Sequence, residues 1–249
     1  MPLNLRAILR IAGLLLLFAV AAPIHIATKL IFRRSPWPNR FLIAAAWIIG
    51  VRAHVAGGRP GRHSLLVANH TSWLDILILG GTLESTFVSK DELGHPLIHW
   101  LADQNGTVYV RRTNRTAVKD QAKALAKALG GGKPVTIFPE GTTGPGTHLL
   151  PFRSALLEAP NLASGIVRVT PVAIDYGDAR AEVGWFHEPG ADNVKRILGR
   201  RGTLPVTVNV LPPLDTNLDR KQLAQRAREA IGQRLGFKSH SHSPIGAGQ

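Results

Sequence analysis

The sequence of 249 residues contains no cysteine. Disulfides, thiolate zinc sites and a cysteine nucleophile are therefore excluded, and nothing in the composition argues for an extracellular setting. Ser154 and the serines near it lack the G-x-S-x-G pattern, which argues against an α/β-hydrolase and its serine nucleophile. No internal repeat is present. Acid is also missing over a long stretch: the first 74 residues hold nine cations (Arg6, Arg10, Lys29, Arg33, Arg34, Arg40, Arg52, Arg59 and Arg62), and Asp75 is the first carboxylate. Taking those nine from the 30 basic residues leaves 21 against 16 acids, so most of the +14 net charge sits in the N-terminal segment. That asymmetry points to an anionic surface as its partner.

What the N-terminal segment does contain is apolar. Between Arg10 and Lys29 lie eighteen residues without formal charge, interrupted by Pro23 and His25, and Phe41 to Val51 forms a second apolar run. A membrane-crossing helix needs about 20 apolar residues, so the first run is borderline and the second fits an interfacial or buried helix better. Cations flank both runs, and Trp37 and Trp47 suit the headgroup boundary. A cleaved signal peptide competes with this reading, but Arg33-Arg34 and the second apolar run continue where a mature secreted chain would begin. Retention as a membrane anchor over residues 1–56 is the better account. Nucleic acid is not expected as a partner, because the basic segment lacks the helix-reading and aromatic-stacking patterns of the usual modules.

Gly57-Gly58-Arg59-Pro60-Gly61 is a turn-rich break, after which Ser64 to Ala68 reads as a buried strand. Further strands are expected at Thr86–Ser89, Thr107–Val110, Val135–Phe138, Val169–Ile174, Val183–Phe186 and Val206–Val210, and the clearest helices at Thr113–Leu129 and Leu218–Leu235. Alternating strands and helices predict an α/β domain over residues 57–237, a mostly parallel sheet covered on both faces, with its chemistry in loops at strand ends. Residues 238–249 read as a disordered tail. Its His240 and His242 have no third ligand or carboxylate beside them, so no metal site is expected.

Two motifs stand at such strand ends. In Asn69-His70-Thr71-Ser72-Trp73-Leu74-Asp75 a histidine precedes an aspartate by five residues, and Phe138-Pro139-Glu140-Gly141-Thr142 follows a later strand. A histidine held by a carboxylate can take a proton from a hydroxyl, and a Glu-Gly-Thr turn can offer backbone N–H groups to an anionic substrate. Each has a plainer reading. Ser72-x-x-Asp75 also matches a capping box, and Glu140 can be an ordinary turn residue after a proline. Arg111-Arg112 at a strand exit could grip a phosphate with its planar forks, or be a solvated pair.

Taken together, these residues resemble the glycerolipid acyltransferase family, nearest its bacterial 1-acylglycerol-3-phosphate branch, over roughly residues 64–175. His70 and Asp75 fall on the family's H-x-x-x-x-D motif, Gly106 and Arg112 on its second block, Phe138 to Thr142 on its third with Leu150-Pro151-Phe152-Arg153 after it, and Val169-Thr170-Pro171-Val172 on its fourth. By that resemblance the fold is the family's α/β sheet, His70 is the general base and Asp75 its orienting partner. Arg112, with the turn of Glu140, Gly141 and Thr142, binds the acceptor's phosphate, and Lys90 adds charge to that pocket. The implied reaction moves an acyl chain from acyl-CoA or acyl carrier protein to a hydroxyl, with no cofactor, metal or covalent intermediate.

One departure bears on the acceptor. Where many members follow Glu-Gly-Thr with Arg-Ser, this chain has Thr143-Gly144-Pro145-Gly146. That variant also resembles acyltransferases acting on lyso-ornithine lipid, whose acceptor carries no phosphate. Lysophosphatidate is the first expectation and lyso-ornithine lipid the second, at the cytoplasmic face of a bacterial inner membrane. The expectation from another class is a non-catalytic, basic membrane-binding protein in which His70 and Asp75 only cap a helix.

Overall fold

A computed structural model describes residues 3–90, 95–110, 115–215 and 217–237, without the side chains of 90, 110 and 115–119. Arg112 and the tail at 238–249 lie outside the described residues, as does the side chain of Lys90.

The N-terminal run folds as helix α1 (Leu5–Phe32), capped by the Asn4 side chain, which accepts from Ala7 N at 2.9 Å. Helix α2 (Trp37–Ile49) follows and stops at Gly50, whose φ of 106° turns the chain straight into strand β1 (Val51–Ala56). Then come β2 (Ser64–Ala68), α3 (Leu74–Thr82), β3 (Thr86–Lys90), α4 (Pro96–Asn105), β4 (Val108–Val110), α5 (Arg115–Gly130) and β5 (Val135–Ile137). A short helix α6 (Ala159–Leu162), strand β6 (Arg168–Asp175), a single turn α7 (Arg180–Val183), α8 (Gly190–Gly199), β7 (Leu204–Val210) and α9 (Arg220–Arg234) complete the described order.

The seven strands form one sheet in the order β1-β7-β6-β2-β5-β3-β4, parallel throughout except between β6 and β7. Strand β2 is buried at every residue, as its unbroken apolar run requires of a strand covered on both faces. Its side chains alternate: Leu66 and Ala68 pack toward Leu74, Ile78 and Ala46, while Leu65 and Val67 pack toward Leu125, Leu129 and Leu223. One layer is therefore α1, α2, α3 and α8, and the other α5 and α9. The contact of α2 with α3 is close enough to demand glycine, since a Cβ on Gly81 would stand 2.6–2.8 Å from the Cβ, N and Cα of Ile43.

Two expectations are corrected by the fold. Val51–Ala56, assigned above to the N-terminal segment, is an edge strand paired in parallel with β7, so the sheet begins before residue 57. Its Arg52 and His54 alternate outward, and that alternation is masked by the apolar run just before it. Val183–Phe186 is no strand. Gly184 N closes a helical turn onto Arg180 O, and Trp185 N donates to Thr71 O at 3.0 Å, so this backbone braces the loop after β2.

Helix α1 is apolar and long enough to cross a bilayer, with 11% of its apolar window buried. It is nevertheless tied to the domain near both ends. Arg10 donates to the carbonyls of Ile197, Leu198 and Arg200 at 2.9–3.2 Å, closing the C-terminus of α8. Near the other end His25 and Lys29 both bond Gln104 of α4, at 3.0 and 2.9 Å.

Candidate active site

Because β2, β5 and β6 are adjacent and parallel, their C-terminal ends emerge side by side, bringing the loops of His70 and Glu140 together with Tyr176. Asn69 fastens the exit of β2 to β6: its side-chain amide donates to Ile174 O and its carbonyl accepts from Ile174 N, at 3.1 and 2.8 Å.

His70 Nδ1 lies 2.9 Å from Asp75 Oδ2. The carboxylate side assigns the ring proton to Nδ1 and leaves the Nε2 lone pair without a hydrogen-bond partner among the described residues. The ring stacks on Phe138, with centroids 4.0 Å apart, and its side chain keeps 17% exposure. The partner is fully buried. Asp75 Oδ2 also accepts from Thr71 N and Ser72 N at 2.7 and 2.9 Å, and Oδ1 accepts from the Tyr176 hydroxyl at 2.5 Å. Four donors around one buried carboxylate supply what water no longer can. The N-cap of α3 is Trp73, with no side-chain cap bond, so the expected capping box is not formed: Asp75 instead gathers the N–H groups of Thr71 and Ser72 in the loop before the helix while it holds the imidazole. Burial, and then the Asp75 charge, push the Tyr176 hydroxyl well above its ordinary pKa, so it stays a donor.

Glu140 has a different place from the one expected. Its carboxylate is buried and faces inward, with Oε1 accepting from His70 N at 2.8 Å and Oε2 from Leu150 N at 2.9 Å. The side chain therefore staples the His70 loop to the segment at 150, with each oxygen held by one backbone N–H. Burial raises its pKa to about 7 against the opposing pull of those two N–H groups. Gly141, at φ 75°, closes the turn by donating to Phe138 O, and Thr142 is exposed at its tip. Gly144 N completes the clasp by donating to His70 O at 2.7 Å.

The structure thus brings His70, Asp75 and Glu140 together, with Gly141 and Thr142 at the rim. Sequence reasoning missed Tyr176 and the structural part played by Asn69. The available signal was positional: Tyr176 follows the strand next to β2 at the same end of the sheet.

Such a dyad at the strand ends of an α/β sheet has the geometry that general base catalysis in a group-transfer enzyme requires. The acyltransferase family model matches residues 51–175. Among curated relatives, the lyso-ornithine lipid O-acyltransferase of Rhodobacter capsulatus is 34% identical over 94% of this chain and 91% of its own. The enzyme of the same name from Pseudomonas aeruginosa is 36% identical over 82% of this chain and 79% of its own. A 1-acyl-sn-glycerol-3-phosphate acyltransferase from Neisseria gonorrhoeae is 35% identical over 56% of this chain and 57% of its own. The crystal structure of the 1-acyl-sn-glycerophosphate (LPA) acyltransferase PlsC from Thermotoga maritima shares the fold, with a TM-score of 0.63 at 24% identity over 96% of this chain and all of that one. The chain belongs to the acyltransferase family.

Proposed function

We propose that this O-acyltransferase acylates the free hydroxyl of a lysolipid at a membrane surface, with lyso-ornithine lipid as the acceptor and acyl-CoA or acyl carrier protein as the donor. The observation that carries the chemistry is the Nε2 of His70, without a hydrogen-bond partner among the described residues, opposite an Nδ1 held by buried Asp75. The acceptor hydroxyl gives its proton to Nε2 as its oxygen attacks the thioester carbonyl. Asp75 stabilises the imidazolium, and that proton then leaves with the departing thiolate. No acyl-enzyme and no metal take part.

The sequence relatives and the Glu140 turn both bear on the acceptor. Two curated relatives matched over 94% and 82% of the chain are named for lyso-ornithine lipid, whereas the 1-acyl-sn-glycerol-3-phosphate acyltransferase of Neisseria gonorrhoeae is matched over 56% of it. The PlsC structure matched over 96% is only 24% identical and speaks for the fold alone. Thr143-Gly144 adds no cation beside the turn, and Glu140 is spent on backbone. This reverses the order of acceptors expected from sequence. Lysophosphatidate remains the second reading, favoured by Arg112 falling on the family's second block. A helix fastened to the domain at Arg10 and at His25 lies along the domain, which supports insertion of its exposed apolar face into one leaflet, and the cytoplasmic face of the inner membrane is the proposed location.

The test is a donor-by-acceptor panel read by release of free thiol. Turnover with lyso-ornithine lipid well above that with lysophosphatidate is expected, and His70→Ala should abolish it. Preference for lysophosphatidate would reinstate the second reading, while thiol release unchanged in His70→Ala would remove the mechanism. Vesicle binding with no thiol release from any donor would leave the non-catalytic membrane protein.

A further inference from the structure

At the opposite end of the sheet from His70 lies an open basin with no part in the chemistry above. It is lined by the loops that lead into β2, β3 and β5 and by the end of α1 with the turn into α2. Strand β2 alone, five residues at about 3.3 Å each, puts it more than ~15 Å from the catalytic loop. Seven cations face it: Lys29, Arg33, Arg34 and Arg40 from the N-terminal helices, and Arg59, Arg62 and Lys133 from the sheet's own loops. Among the described residues Glu84 is the one acid in its lining. None of the seven has an ion-pair partner among the described residues.

So many like charges around one concavity repel one another, and an anion in the basin removes that repulsion. The neighbouring surface identifies the anion. Leu30, Ile31 and Phe32, directly before Arg33-Arg34, are 78, 71 and 70% exposed and continue the bare apolar stripe of α1. Cations that open onto an exposed apolar ledge match an amphiphile, charged at one end and aliphatic at the other. A soluble acidic protein would account for the charge and leave the ledge unexplained.

We propose that this basin binds the phosphate headgroups of anionic phospholipids, and that Arg59, Arg62 and Lys133 of the catalytic domain, not the N-terminal helices alone, dock the enzyme on an anionic leaflet. The proposal rests on membrane association through α1 and adds lipid selectivity to it. Because α1 runs from Gly202 and Gly50, beside the start of β7, to the basin, docking there lays the α1–α2 layer flat on the lipid and fixes the orientation of the His70 loop relative to the bilayer.

The experiment is vesicle flotation of the full-length protein with phosphatidylcholine alone and with phosphatidylcholine mixed with phosphatidylglycerol. The wild type is compared with Arg59→Gln/Arg62→Gln/Lys133→Gln and with a control, Lys123→Gln/Lys127→Gln/Lys221→Gln, on the exposed surface of the opposite layer. Expected is strong selectivity of the wild type for the anionic vesicles. At about 1 kcal/mol per cation, the basin variant should lose on the order of 100-fold of that selectivity, the control little. Binding of the basin variant to neutral vesicles, and its turnover of substrate in mixed micelles, should be unchanged.

Equal binding of the wild type to both vesicles, or equal losses in basin and control variants, overturns the proposal while leaving membrane association intact. No binding to either vesicle overturns the membrane reading itself. A further arm adds acyl carrier protein without lipid: capture by the wild type and not by the basin variant would assign the basin to a protein partner and overturn the lipid assignment.

Discussion

Replacing Glu140 with glutamine separates two opposed effects on one buried carboxyl group. Two backbone N–H groups favour its ionised form, while burial with Asp75 nearby disfavours it, and burial prevails, raising the pKa from 4.5 to about 7. Such a rise corresponds to about 3 kcal/mol. The folded pKa is raised, so the contribution to stability is complete below 4.5, where the acid is neutral in both states, and is lost as pH climbs to about 7.

Glutamine cannot titrate, and it offers one acceptor where two N–H donors wait, so Glu140→Gln carries a fixed cost of about 1–3 kcal/mol. The stability of wild type minus variant, measured by urea denaturation in detergent across this range, cancels the other ionisable groups. It should fall by about 3 kcal/mol between roughly pH 4 and pH 8, or ~6–12 °C in Tm for a domain of this size. A difference that grows with pH would refute the reasoning, because it would mean that the two N–H bonds outweigh burial.

Three further outcomes are expected. Asp75→Asn should lower kcat by a factor on the order of 10²–10⁴ with little change in KM, checked by steady-state thiol release, since the amide no longer stabilises an imidazolium. Tyr176→Phe removes a donor to that buried charge, worth about 1.5–3 kcal/mol, and should reduce kcat by roughly tenfold or more while acceptor KM holds. Gly81→Ala forces a methyl group into the backbone of Ile43 and should cost about 1–3 kcal/mol by denaturant titration, with catalytic constants intact in the fraction that folds.

Local patterns and motif spacing carried much of this molecule into view. The strands at Ser64, Thr86 and Val135 announce themselves by apolar runs between turns, and α5 and α9 by helical periodicity. The five-residue spacing of His70 and Asp75 is legible because a single loop and helix start unites them. What was illegible depends on contacts between distant segments. Tyr176 meets Asp75 across 101 positions, and Glu140 meets His70 across 70, so no local window contains either pair. The direction of the Glu140 side chain was invisible for the same reason, as it is set by two N–H groups that only the assembled sheet brings to it. Strand β1 was hidden differently, by beginning one residue after α2 ends at Gly50.

The fastening of α1 has a practical consequence for anyone wishing to handle this enzyme in water. The helix is no detachable tether: Ala7 is buried in the same core cluster as Leu74 and Val206, and Arg10 closes α8. Cutting the chain near residue 51 would open that core and uncap α8 as well as remove the exposed apolar surface. A soluble form is better sought by recolouring the outside of the helix, exchanging Leu9, Leu16 and Leu30 for polar residues while Asn4, Ala7, Arg10 and His25 stay as they are.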